Sequence, residues 1–128
     1  MINNRFLIDT NILIYYFNGI VDDESIYDIL THSFNISIIT KIEFLSWQKL
    51  SANVALRKQA IDFILNASVY ELDNAIADKT IEIRQNYKIK TPDAIIAATA
   101  ITHNFEIVTN NTEDFNKLDL KLLAMQVR

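Results

Sequence analysis

The chain contains no cysteine, one glycine and one proline among its 128 residues. Without cysteine it can form neither a disulfide framework nor a thiolate metal site. A single glycine excludes the Gly-rich loops that cradle phosphates in P-loop and dinucleotide-binding proteins. Because both turn-forming residues are scarce, the loops are expected to be short. Any chemistry must therefore come from other side chains.

Long apolar runs are also missing. No run approaches the ~18 residues of a membrane span, and the N-terminal MINNRFLIDTN lacks the apolar core and small-residue cleavage site of a signal peptide. We therefore expect a soluble, cytoplasmic protein without a membrane partner. Sixteen acids against twelve bases give a net charge of −4, which offers no general attraction to nucleic acid. A nucleic-acid partner would have to be held by a local basic surface or through a metal.

What is present is a regular alternation of strand and helix patterns. Half of the residues are hydrophobic, which suits one domain over residues 1–128. Strands alternating with helices predict an α/β fold with a five-stranded parallel sheet and helices on both faces. The predicted strands are 5–8, 36–39, 68–72, 106–109 and one within LKLLAM, 120–125. The predicted helices are 10–18, 22–32, 40–50, 54–65, one from Asp73 to about Lys88, one from Thr91, and a short one within 110–115.

The helix from Thr91 is the most distinctive of these. Thr91 is expected to cap it and Pro92 to occupy its first position, where a missing N–H needs no partner. The following run AIIAATAI is apolar on nearly all sides, which predicts a buried helix. Asp93 is then an ionisable group at the mouth of a buried helix. Alternatively, it only complements the helix dipole.

Other polar residues follow the predicted strands. Asp9 follows the first strand, Glu43 lies in the helix after the second, and the stretch from Asn111 to Asp114 follows the fourth. The carboxyl ends of parallel strands share one edge of a sheet, so these residues and Asp93 can converge there. Each also has a purely structural interpretation. Asp9 suits an N-cap, Glu43 a capping box with Thr40, and Asp114 a first-turn acid.

Several carboxylates in one pocket repel one another unless protons or a cation offset their charge. Carboxylate and amide oxygens without cysteine suit Mg²⁺ or Mn²⁺ rather than zinc. The two histidines, His32 and His103, both fall at helix ends and are interpreted as cations near helix C-termini, not as ligands.

Four stretches in this order resemble the PIN-domain ribonucleases, and among them the VapC-type toxins of toxin–antitoxin pairs. They are LIDTNILIYYF (7–17), ISIITKIEFL (36–45), KTPDAIIAATAI (90–101) and IVTNNTEDF (107–115). The resemblance covers essentially the whole chain. It implies a PIN domain in which Asp9, Glu43 and Asp93 are catalytic and bind the metal. The fourth acidic position of the family falls on Asn111 or on Asp114.

The resemblance further implies hydrolysis of RNA phosphodiester bonds by a metal-activated water, a cognate antitoxin protein and a homodimer. Thr10, Asn11, Thr109 and Asn110 would border the site. Lys41, Lys88 and Lys90 are candidate phosphate contacts, or ordinary solvated lysines. Most aromatic residues of the first and third helices, Tyr15, Tyr16, Phe17, Phe44 and Trp47, are expected in the core.

Two alternatives stay open. If the missing fourth acid leaves the metal site empty, the chain is a PIN-like interaction module without catalytic activity. A phosphoacceptor domain of receiver type would use an aspartate nucleophile, but the sequence lacks the well-placed lysine near the last strand that such a domain needs.

Overall fold

The structure is a computed structural model that describes residues 4–128, so the first three residues of the predicted domain lie outside the described part. Its centre is a five-stranded sheet in the order β3-β2-β1-β4-β5, in which every neighbouring pair is parallel. The strands are β1 (Phe6–Ile8), β2 (Asn35–Ser37), β3 (Ser68–Tyr70), β4 (Glu106–Thr109) and β5 (Leu122–Ala124). The predicted α/β fold with a parallel five-stranded sheet is confirmed.

Eight helices in the described residues connect these strands. They are α1 (Thr10–Phe17), α2 (Ser25–His32), α3 (Ile38–Leu45), α4 (Gln48–Ser51), α5 (Val54–Ile64), α6 (Asn74–Asn86), α7 (Thr91–His103) and α8 (Thr112–Phe115). No helix in residues 4–128 has the length and apolarity needed to cross a membrane.

Alternate residues of the strands face two separate hydrophobic cores. Phe6 and Ile8 of β1 belong to the first core, while Leu7 between them belongs to the second. In β4, Val108 faces the first core and Ile107 the second. Successive side chains of a strand point to opposite faces of a sheet, so the sheet is buried on both sides. Helices α1 to α5 contribute to the first core and α6 to α8 to the second.

The aromatic residues of α1 and α3 lie mainly in the first core. Phe44 is fully buried, and Phe17 meets its ring edge to face at a centroid distance of 5.2 Å. Tyr16 stacks on Phe63 of α5 at 5.6 Å, and Trp47 is partly buried against the same core. The expectation that most of these residues belong to the core is confirmed.

Helix α7 is almost completely enclosed, since every residue from Ala94 to Ala100 is buried. Its small alanine side chains allow α6 and the sheet to approach it closely, and α6 packs along it. The helix ends at Asn104, whose left-handed backbone (φ 58°) is a common helix C-terminal conformation for asparagine. His103 lies in the last turn and His32 in the last turn of α2, as predicted.

Two details of the helix starts differ from the prediction. The N-cap of α7 is Lys90, with Thr91 and Pro92 as the first helical residues. Proline is still tolerated there, because the first four N–H groups of a helix have no intrahelical partner. Helix α3 begins at Ile38, not at Thr40, because the Ser37 hydroxyl accepts a hydrogen bond from the Ile39 amide at 3.1 Å.

The second strand therefore stops at Ser37, and residues 38–39 are helical. Thr40 lies inside α3, so the predicted capping box between Thr40 and Glu43 is wrong. The predicted helix 40–50 is also interrupted. Ser46 ends α3, and the extended backbone of Trp47 (ψ 124°) turns the chain into α4 so that Leu50 is buried in the first core.

The strand order determines where the site lies. From the central β1 the chain moves outward through β2 to β3, and then returns through α6 and α7 to β4 on the other side of β1. The order of connection thus reverses between β1 and β4. Ligands of open parallel sheets bind at such a switch point, beyond the carboxyl ends of the strands. Asp9 and Thr109 lie at this point.

We predict that Asp73→Ala destabilises the protein by about 1 kcal/mol, because the Asp73 carboxylate caps α6 by accepting from the Ile76 amide at 2.9 Å. Chemical denaturation measures the change. Asp78→Ala, which removes an exposed acid from the same helix without removing a cap, is the matched control. Equal losses in both variants would contradict the capping role.

Candidate metal centre

Asp9 is the most buried acid of the predicted set, with 4% of its surface exposed. It is the N-cap of α1, where its Oδ1 accepts from the Thr10 amide at 2.9 Å. Its Oδ2 accepts from the hydroxyl of Thr109, at the end of β4, at 2.8 Å. The carboxylate therefore has both a capping role and a position at the carboxyl edge of the sheet.

Glu43 approaches the same edge from α3. The hydroxyl of Thr10 donates to Glu43 Oε1 at 2.7 Å, and the Thr10 and Thr40 hydroxyl oxygens lie 3.1 Å apart. Both threonines are buried, while Glu43 is exposed. Thr10 thus connects the two acids, because its amide donates to Asp9 and its hydroxyl donates to Glu43.

Asn111 and Asp114 act together in this structure. The Asn111 amide nitrogen Nδ2 donates to Asp114 Oδ2 at 3.0 Å. The backbone N–H of Asn111 donates to the Thr109 hydroxyl at 2.8 Å, and that hydroxyl in turn donates to Asp9. Asp114 lies in the first turn of the short helix α8. A continuous chain of hydrogen bonds therefore joins Asp9 to Asp114.

The electrostatics place Asp93 in the same group. Burial raises the pKa of Asp93, the negative charges of Asp114 and Glu43 raise it further, and Lys90 lowers it. The pKa of Asp9 rises from 3.8 to about 6, mainly by burial, with contributions from Asp93 and Glu43. Hydrogen bonds from Thr109 and Thr10 oppose this rise. The charged forms of Asp9 and Asp93 are thus disfavoured by neighbouring carboxylates, with Glu43 acting on both and Asp114 on Asp93.

This donor set fits a hard divalent cation, because its ligands are carboxylate oxygens with a neighbouring amide oxygen and no thiolate or imidazole. In residues 4–128 no three acidic or histidine side chains are already spaced to hold an ion. Binding would therefore draw the carboxylates together, and Glu43 is the exposed member of the set.

The remaining candidates divide into two groups. Thr10 and Thr109 contact the acids directly, whereas Asn11 and Asn110 are exposed. Thr40 was not predicted to border the site. The sequence signal for it is its place one helical turn before Glu43, which equally suits a capping box.

Comparisons with known proteins identify the family of this fold. The sequence profile described as PIN domain matches residues 6–121. The chain belongs to the PIN domain family. A solved toxin–antitoxin complex from Klebsiella pneumoniae contains a chain with 31% identity, a TM-score of 0.76 and coverage of 92% of this chain and 95% of that chain. No match was found among curated proteins.

Two further structures share the fold of this PIN domain. VapBC from Salmonella typhimurium, solved bound to DNA, has 23% identity and a TM-score of 0.78, with coverage of 94% of this chain and 97% of that chain. VapBC2 from Rickettsia felis, bound to a DNA fragment from its promoter, has 22% identity and a TM-score of 0.77, with coverage of 94% and 98%. The resemblance to VapC-type PIN domains that the sequence predicted is confirmed.

The raised pKa values predict how the metal-free protein responds to pH. A carboxyl with a raised pKa in the folded state contributes its full stability below the unfolded value and loses it as the pH rises through the folded value. For Asp9 this window runs from 3.8 to about 6. We therefore expect the free energy of unfolding to fall across this window in the presence of EDTA.

Asp93→Asn removes one of the mutually repelling charges. We expect it to raise the melting temperature of the metal-free protein near neutral pH, and to make little difference at a pH well below the unfolded pKa of 3.8, where the carboxyl is protonated in both states. Calorimetric melting in EDTA over this pH range is the measurement. Asp78→Asn is the control, and a destabilised Asp93→Asn at neutral pH would argue against repulsion in the cluster.

Proposed function

We propose that this PIN domain is a metal-dependent endoribonuclease that hydrolyses RNA phosphodiester bonds, and that it is the toxin of a toxin–antitoxin pair. The observation that carries the proposal is the convergence of Asp9, Glu43, Asp93 and Asp114 at the switch point of the sheet, where burial and the charges of neighbouring carboxylates raise the pKa values of Asp9 and Asp93. Mutual repulsion of this kind is offset by a divalent cation, for which we propose Mg²⁺ or Mn²⁺.

The four carboxylates would hold the ion, with the Asn111 side chain beside Asp114. A bound divalent ion lowers the pKa of water and stabilises negative charge on a phosphate. The neighbouring residues of the protein would hold these carboxylates in position. Thr10 and Thr109 hold the two oxygens of Asp9 in place, and Asn111 orients Asp114. This arrangement needs no histidine base, which agrees with both histidines lying at helix ends.

We also propose a cognate antitoxin protein as a partner, and a homodimer as the assembly. The likeness to a chain of the Klebsiella pneumoniae toxin–antitoxin complex, over 92% of the present chain, supports the antitoxin. The homodimer rests on the family resemblance alone.

An interaction module without catalytic activity is the second candidate. It is favoured by Asn111, since an amide in the fourth acidic position can ligate a cation but brings no charge. Asp114 is hydrogen-bonded to Asn111 and brings a carboxylate close to the fourth acidic position. This favours the nuclease.

The first test is RNA cleavage. We predict that purified protein cleaves total RNA when Mn²⁺ or Mg²⁺ is added, and that Asp93→Asn abolishes cleavage while it remains folded by thermal melting. Mn²⁺ should raise the melting temperature of the wild-type protein, because a ligand that binds only the folded state stabilises it. Asp9→Asn should reduce this stabilisation.

Asp78→Asn serves as the control, because it removes an exposed acid of α6 that is not among the charges raising the pKa of Asp9 or Asp93. Unchanged cleavage by Asp93→Asn would refute the assigned site. Metal binding without any cleavage of RNA would favour the interaction module.

The second test separates the roles of Asn111 and Asp114. We predict that Asp114→Asn increases the Mn²⁺ concentration needed for half-maximal cleavage. Asn111→Ala should act in the same direction but more weakly, because it removes only the hydrogen bond that orients Asp114. A manganese titration of cleavage rates measures both effects. If Asp114→Asn is inert and Asn111→Ala is damaging, the fourth role belongs to Asn111.

A further inference from the structure

A basic groove lies directly beside the acidic site. It is a cavity of about 470 Å³ lined by Arg84, Lys88, Ile89, Lys90, Asp114 and Lys117. Four of these six residues are cationic, although the whole chain has only twelve lysines and arginines and a net charge of −4. One third of the basic residues are therefore gathered on one small surface.

The groove is continuous with the proposed metal centre. Asp114 lines the groove and also raises the pKa of Asp93, and Lys90 from the groove lowers that pKa. The groove is formed by the end of α6, the loop from Tyr87 to Lys90, and the residues around α8. A chain molecule that occupied it would reach the acidic site at Asp93 and Asp114.

The positive charges of the groove are not neutralised by ion pairs. Within residues 4–128 the ion pairs are Lys79–Glu82 and Arg128–Asp22, and neither involves a groove residue. All four cationic side chains are exposed. The four cations outnumber the one carboxylate in the lining, Asp114, so the groove favours an anionic ligand.

The groove is also held in shape. Arg84 Nε donates to the Ile89 carbonyl at 3.3 Å, and Lys117 Nζ donates to the Lys88 carbonyl. Ile89 between them is buried in the second core. The loop that carries Lys88 and Lys90 is therefore fixed from two sides, which limits the entropy lost when its cations bind a ligand.

We propose that the basic groove binds the phosphate backbone of the RNA strand on one side of the scissile bond. Arg84, Lys88, Lys90 and Lys117 supply the positive charge that a phosphate needs in order to approach four carboxylates. Spaced cations suit a repeating polyanion, and contacts to phosphates position a nucleic acid without reading its sequence. The inference rests on the proposed function and adds to it the path of the substrate.

The test is the salt dependence of RNA binding. Every protein carries Asp93→Asn so that the RNA stays intact, and a labelled single-stranded RNA is titrated by fluorescence anisotropy at several salt concentrations. The groove variant is Lys88→Gln with Lys117→Gln. The matched control is Lys58→Gln with Lys121→Gln, which changes the net charge equally but lies outside the groove. Thermal melting checks that each variant is folded.

We expect the groove variant to bind RNA more weakly and to lower the slope of log K against log salt concentration by about 1.4, since each lost contact to single-stranded RNA removes about 0.7. The control should keep the original slope. Equal slope changes in both variants, or none in the groove variant, would overturn the proposal. So would binding of polyglutamate, lost in the groove variant, by a protein that does not bind RNA, because the groove would then serve an acidic protein segment.

Cleavage by the protein with Asp93 intact separates this inference from the proposed function. If that protein cleaves no RNA with Mn²⁺ but the groove variant still shows the reduced slope, the nuclease assignment fails and the groove assignment stands. If cleavage occurs and the slope does not change, the groove assignment fails alone.

Discussion

The hydrogen bond between Thr109 and Asp9 joins the carboxyl ends of two neighbouring strands, β4 and β1. It lies at the point where the order of connection reverses. An ionised carboxylate is costly to bury unless it is hydrogen-bonded, and Asp9 meets this requirement through Thr109 on one oxygen and the Thr10 amide on the other. Both donors are buried, so the position of Asp9 depends on the packing of the sheet and of α1.

The second constraint is the enclosure of α7. Seven successive buried residues place its axis close to the sheet, and this closeness brings Asp93 at its first turn towards Asp9. The free energy that α7 gains from burial must exceed the repulsion among the acids, because the repelling groups lie on separate elements that are held by the two cores. The fold therefore holds several acids close together at the carboxyl edge of the sheet, although their charges repel one another. Such arrangements are common where a protein has a chemical function.

Sequence reasoning predicted the sheet, the two helical layers and the edge at which the acids meet, because these depend on repeated apolar spacing and on the parallel topology. It failed where one side chain decided between two local structures. Ser37 starts α3 early by capping it, so the Thr40 capping box does not form. The order of strands, and with it the bond between residues 9 and 109, depends on contacts a hundred positions apart that no local pattern shows.

Asn111 illustrates the same limit within the site. In the sequence it competes with Asp114 for one position, since both follow the fourth strand. In the structure its backbone N–H contacts Thr109 and its side chain contacts Asp114, so it connects the two without replacing either. The sequence alone cannot show whether Asn111 replaces Asp114 or connects it to Thr109, because the answer depends on the conformation of the turn.

The distribution of charge bears on the proposed binding of an anionic RNA backbone by a protein with a negative net charge. Interactions between exposed charges fade beyond the Debye length, about 8 Å at physiological ionic strength, so the net charge of −4 matters less than the charges nearest the ligand. Around Asp114 these are of both signs, with carboxylates on one side and four cations on the other. Under the proposed function, a phosphate backbone would be attracted on the groove side and repelled on the acid side. A cation bound by the acids would offset that repulsion, so this distribution of charge would make close approach of the backbone to the site depend on the metal.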